Sequence, residues 1–195
     1  MATGPYSEVD RDLYPAAAEP GASPSAIAWS AVSAGTVAAI AVTLTLLMLG
    51  SAFGLAEASP WPGVGAKPST FTIGAGIWLV ITQWLSAALG GYIAGRLRVR
   101  WHGLHTDEVF FRDTAHGFLV WATATVIVAI IAVAASALSS LAAGPVDVAA
   151  TRDAVDEARK VAASFAAFTG VSLVIGAFVG SVAGAIGGRL RDKHP

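Results

Sequence analysis

A chain of 195 residues with 55% hydrophobic and 13% charged residues, and a mean hydropathy of +0.65, is too apolar for an ordinary soluble domain. Its net charge of −1 leaves no basic footprint for a nucleic-acid partner. The chain has no cysteine, which excludes disulfides, zinc ribbons, thiolate metal sites and cysteine nucleophiles.

Residues 1–25 mix proline, alanine and acids with a single arginine, and read as a disordered cytoplasmic tail. Four stretches then lack Asp, Glu, Lys and Arg: 20–56, 68–95, 114–146 and 161–188. An apolar helix needs roughly 20 residues to cross about 30 Å of hydrocarbon, so each is long enough. Runs of this length in lipid satisfy their backbone groups as helices, whereas barrel strands are shorter and alternate. The expected fold is an all-α membrane protein with helices near 26–53, 71–97, 115–142 and 161–188. The first is too long, and its leader too poor in basic residues, for a cleaved signal peptide.

Between the first two spans, Ser59-Pro60-Trp61-Pro62-Gly63 predicts a rigid turn with an interfacial tryptophan. The second span carries Gln83, its deepest strongly polar side chain, and ends in Gly91-Tyr92-Ile93-Ala94-Gly95-Arg96-Leu97-Arg98. The link that follows, 98–114, predicts a cytoplasmic elbow: Thr106 caps a short interfacial helix, Glu108 and Arg112 form an i,i+4 pair, and Asp113 or Thr114 caps the third span. Residues 143–160 predict a periplasmic helical extension of the fourth span, with Arg152, Asp156 and Lys160 paired at i,i+4 spacing. The fourth span ends in Gly184-Ala185-Ile186-Gly187-Gly188-Arg189-Leu190-Arg191, 93 positions after the matching segment.

That repeat predicts a duplicated helical hairpin, the two copies in parallel orientation about an axis along the membrane normal. Lys and Arg near the span ends divide eight to four: Arg11, Arg96, Arg98, Arg100, Arg112, Arg189, Arg191 and Lys193 against Lys67, Arg152, Arg159 and Lys160. The positive-inside rule then places both termini and the elbow in the cytoplasm. Residues four apart share a helix face, so Ala87, Gly91 and Gly95 form one ridge without side chains, and Gly176, Gly180, Gly184 and Gly188 form another. Such faces let backbones approach closely. They predict a seam between the second and fourth helices, with a subunit interface or narrow pore as the alternative.

No Asp, Glu, Lys or Arg falls inside the expected spans, which argues against an ion-coupled transporter. Gln83 is expected to bridge helices, and Ser and Thr to bond their own helix backbones. The elbow gathers His102, His105, Asp113 and His116; imidazole with carboxylate suits zinc, iron or manganese, so these four are the candidate metal ligands. The competing reading is an interfacial elbow or docking surface.

Ser59-Pro60-Trp61, the run Phe71 to Val80, Gln83-Trp84-Leu85, Gly90 to Arg98 and His105 to Leu119 together resemble short bacterial inner-membrane proteins of unassigned function, some labelled PhnA-like. The resemblance covers about 59–125 and brings no catalytic residues; it implies a bacterial protein of the cytoplasmic membrane. The expected role is structural or interaction-based rather than enzymatic, with no cofactor, in a lipid bilayer, as a homo-oligomer or with other membrane proteins. A small channel or facilitator built on the glycine faces is the second expectation, and a metal-binding protein or enzyme using the elbow is the third.

Overall fold

The computed structural model describes residues 25–57, 65, 68–99, 105–143 and 151–193. They form four helices and, among the described residues, no strand: α1 (Trp29–Glu57), α2 (Pro68–Leu97), α3 (Thr106–Ala143) and α4 (Arg152–Lys193). All four are long and apolar enough to cross a membrane. The predicted turn at Trp61 and His102 of the elbow lie outside the described residues.

The helix boundaries differ from the expected ones chiefly at the elbow. In place of a short helix, a break and a span, α3 runs unbroken from Thr106, with Asp107 and Glu108 in its first turn. No proline or glycine interrupts 106–116. Thr114, expected as a cap, bonds back to the Phe110 carbonyl at 2.8 Å as an interior helical threonine does. The Glu108–Arg112 pair forms at 2.5 Å. In α4, Asp156 pairs instead with Arg159, one turn away at 3.9 Å; both are exposed.

The most extensive interface is between α2 and α4, and α1 makes no contact with α4 among the described residues. Contacts rise in step along α2 and α4: Gly76 meets Phe168, Gln83 meets Gly176, Gly91 meets Gly180, and Gly95 meets Gly184. Along α1 and α2 they run in opposite senses, from Gly35 against Gly90 to Gly54 against Phe71.

Most of the buried residues lie toward the end of the bundle that bears Arg98 and Arg191, called here the arginine end. There Val32, Ala39, Ala94, Val120 and Ala124 form the core cluster, supported by Ile27, Ile40 and Leu119. A Cβ placed on Gly91 would overlap the Gly180 carbonyl, and one on Gly117 would overlap the same group from α3. Gly35 and Gly90 make a similar approach between α1 and α2; the Gly90 position lies 2.8 Å from Ala39 Cβ. Lipid supplies no hydrophobic drive between helices, so this backbone-to-backbone packing is what attracts them.

The far end is different. The α1–α2 hairpin stays joined there, with Trp78 Nε1 donating to the Leu46 carbonyl at 2.8 Å and its ring edge-on to Phe53. By contrast, every residue from Ala129 to Ala142 in α3 and from Thr151 to Ala167 before and within α4 is exposed.

Candidate functional site

The two copies of the Gly-Arg-Leu-Arg segment end at Arg98, one residue past α2, and at Arg191, in the last turn of α4. Both turn inward to the same carboxylate. Arg98 Nε donates to Asp113 Oδ1 in an ion pair whose side chains are 0% and 3% exposed. Arg191 Nη1 lies 3.7 Å from the same oxygen. Asp113 projects from the second turn of α3, and Gly188 of α4 provides its space: a Cβ there would collide with the carboxylate. The glycine of one motif copy thus makes room for the acid that both motif arginines contact.

Arg191 makes a second kind of contact. Its Nη1 donates to the Gly95 carbonyl at 3.0 Å and the Arg98 carbonyl at 3.4 Å, the orphan acceptors at the C-terminus of α2. A cation there also faces the negative end of the helix dipole. Asp192 holds the guanidinium from its other side, with bonds of 3.0 Å from Nε and Nη2. The first arginine of the second motif, Arg189, stacks its guanidinium 5.1 Å above the Phe110 ring of α3.

Three residues along α3 from Asp113, His116 is 1% exposed. Its Nε2 accepts the Ala28 amide proton at 2.8 Å, and its Nδ1 donates to the Arg112 carbonyl at 2.6 Å. The pattern selects the neutral Nδ1–H tautomer. Ala28 immediately precedes α1, so α3 supplies the N-terminal cap of α1 across 88 positions of sequence. Further along the same interface, Thr36 and Thr123 hydroxyls bond at 2.7 Å.

Among the candidate metal ligands, the structure therefore brings Asp113 and His116 to one face of α3, but points them at different partners. His105 is exposed before α3, and His102 is outside the described residues. No group of three or more His, Asp or Glu side chains converges among the described residues. Charge is absent from the four apolar stretches, but just beyond two of them stands a buried pair: Arg98 and Asp113 are each 2% exposed. A charge is tolerated in a protein interior when it is paired and hydrogen-bonded, as this one is. Arg98, counted among the basic residues near the span ends, is consequently inside the protein.

The glycine ridges are divided more finely than their spacing implied. Gly91 and Gly95 face α4, with Ala87 buried beside them. Gly184 and Gly188 face Asp113 and Gly117 of α3, Gly180 faces Gly117 and Trp121, and Gly176 lies under both Gln83 and Trp121. The residue of α4 that meets the α2 backbone most directly is Gly187, whose Cβ would lie 3.1 Å from the Arg96 amide nitrogen. Gly117 has no small residue four positions away, and Gly187 has only Ala183 beside the longer Gly176–Gly188 ridge, which is why spacing missed them. Gln83 fills the space above Gly176, between α2 and α4.

Ser and Thr elsewhere follow the expected local pattern, as with Thr45 to the Ala41 carbonyl, Ser139 to Ala135 and Ser181 to Ala177, at 2.8–2.9 Å. Chemically, the arginine end is a fastening: one carboxylate, two guanidiniums and one imidazole tie four helices by their ends. Comparison of the chain with protein-family models, curated proteins and solved structures gives no match.

Proposed function

We propose that the chain is a multi-pass protein of the bacterial cytoplasmic membrane with a structural or interaction role, acting as a homo-oligomer or as an accessory subunit of a membrane complex. The observation that carries this reading is the contrast along α3 and α4. Their arginine-end halves are packed backbone to backbone, whereas every residue of 129–142 and 151–167 is exposed. The uncovered segments are rich in small residues: Ala132 and Ser136, Ala135 and Ser139, and Ala163 and Ala167 repeat at four-residue spacing. A Cβ added at Gly170 would meet nothing within 4 Å. Small residues at this spacing are what membrane helices use to approach one another.

Length supports the same reading. At 1.5 Å per residue, the 38 residues of α3 and 42 of α4 span about 57 and 63 Å, well beyond the roughly 30 Å of hydrocarbon. With the arginine end in the cytoplasm, by the positive-inside rule, the surplus turns project to the periplasm. The matching Gly-Arg-Leu-Arg ends and the contacts that rise in step along α2 and α4 support two parallel copies of one hairpin.

Backbone contact across the glycine seam weighs against a solute path through a single chain. The existing partners of Asp113 and His116 weigh against a resident metal.

The absence of native cysteine makes the test clean. Ala135→Cys and Ala163→Cys, oxidised in native membranes, should each give a cross-linked species of higher mass. Native purification in mild detergent should give a mass above the 19.7 kDa of one chain and its detergent belt. A monomer that does not cross-link at either position, yet passes ions or solutes in liposomes, would overturn the reading in favour of a facilitator.

A further inference from the structure

Between the glycine seam and the far end, all four helices line a cavity of about 240 Å³. At its inner end Thr82, Ser86 and Ala87 are buried; at its rim Ala132 of α3 is exposed, so the cavity opens away from the arginine end. Most of the wall is apolar, from Leu47, Leu79, Val128 and Leu173, and among the described residues no Asp, Glu, Lys, Arg or His contributes to it.

Two residues of this wall carry a buried polar atom with no hydrogen-bond partner among the described residues: Thr82 Oγ1 and Trp121 Nε1. Thr82 is only 3% exposed, whereas Ser86 of α2, Thr123 of α3 and Thr169 of α4 all bond back to their own helix backbone. Buried polar atoms are nearly always paired, so two orphans on residues that line one cavity point to a group that pairs them. The indole N–H is a donor only, and therefore requires an acceptor; the threonine hydroxyl takes either role. Gln83 lines the same wall with an amide that offers both.

We propose that this cavity is an intramembrane binding site for an uncharged, lipid-soluble molecule bearing a carbonyl or hydroxyl oxygen, received by Trp121 Nε1 and Thr82 Oγ1. Charge is excluded because the wall provides no counter-charge, and an unpaired ion in such surroundings is strongly disfavoured. The size follows from volume: a cavity of about 150 Å³ admits benzene, so this one accepts a substituted ring or a medium-chain alcohol. Water alone would leave most of the apolar wall without a partner. The opening toward the exposed stretches of α3 and α4 gives such a molecule a route from the hydrocarbon.

The probe is a diazirine-bearing octanol, photolysed with the full-length protein in mild detergent and in phospholipid vesicles, with adducts mapped by peptide mass. Labelling should saturate and concentrate at 79–87 and 121–132, and unlabelled octanol should displace it where octane does not. Thr82→Val, which keeps shape, and Trp121→Phe, which keeps an aromatic ring, each remove one partner and should raise the half-saturating concentration about three- to tenfold, the effect of one hydrogen bond. Ala132→Phe, at the exposed rim where it cannot disturb the core, should abolish saturable labelling. The proposal fails if labelling rises linearly and spreads over lipid-facing residues such as Ile130 and Phe178, or if octane competes as well as octanol. It also fails if the Trp121→Phe, Thr82→Val double variant binds as the parent does. Native mass measured on the same samples separates this outcome from the oligomer reading, since a monomer with saturable binding would uphold the site and sink the assembly.

Discussion

The two ends of this bundle are built from similar residues to opposite effect. At the arginine end, glycines bring helix backbones into contact and a buried ion cluster ties them; at the far end, alanines and serines at the same spacing stay exposed and the helices surround a cavity. Small residues therefore do not by themselves make a seam. The difference is the cluster of Asp113, Arg98, Arg191 and His116, which fixes the helix ends close enough for the glycines to meet. Close approach in lipid is favoured by many weak dispersion contacts, each about 0.1–0.2 kcal/mol, and these accumulate only once the register is set.

Breaking that cluster should have the largest effect on the contrast. Asp113→Ala leaves Arg98 and Arg191 buried beside each other without their shared carboxylate, and removal of one partner from a buried pair costs about 3–5 kcal/mol. A melt in mild detergent should register most of this loss. Replacing Arg98 and Asp113 together by leucine should recover a good part of it. Equal melting of Asp113→Ala and the parent would mean that the glycines hold the arginine end unaided.

Glycine substitutions should sharpen the comparison from within. Gly95→Ala sets a methyl group into the Gly184 carbonyl, and Gly184→Ala sets one against the Gly117 backbone at 2.9 Å. Overpacking of this kind costs about 1–3 kcal/mol each, at the upper end here because backbone atoms cannot rotate away. Gly170→Ala and Gly74→Ala, with nothing within 4 Å, should be neutral or stabilising by up to about 1 kcal/mol. If all four variants melted alike, the two ends would not differ in packing.

The smallest of these effects should come from the cap on α1. His116→Phe fills the ring's space but removes the acceptor of the Ala28 amide, for a loss of about 1–2 kcal/mol. Hydrogen exchange should rise at residues 28–32 and stay unchanged at the α2–α4 seam. Uniform acceleration along α1 would show that the imidazole supports more than its first turn.

The asymmetry also explains what could be read from sequence. Four spans follow from where charge disappears, and Gly91, Gly95 and Gly180 follow from four-residue spacing, because both signals are local. The ion cluster is not local: Asp113 pairs across 15 positions with Arg98 and across 78 with Arg191, and no periodicity links them. Asp113 therefore looked like a cap or a ligand, and the arginines like basic residues that flank the spans. A clue was present in Gly188, which the 93-residue offset aligns with Gly95 and which is free to accommodate a carboxylate. His116 was equally ambiguous, since imidazole serves as ligand or as cap, and only the position of Ala28 decides between them. The continuous start of α3 was readable in principle, because nothing in 106–116 breaks a helix.

The shared carboxylate also imposes an order on assembly. Arg98 and Asp113 are only 15 positions apart, so closing the chain between them carries little entropic cost and their pair can form as soon as α3 enters. Arg191 arrives only with the end of α4, after three helices are already in place. Until then Gly91, Gly95 and Gly117 face lipid with no backbone opposite. A chain stalled before α4 thus has its charges neutralised but its tightest surfaces open, and the final turn of α4 acts as the latch that commits the bundle to its closed form.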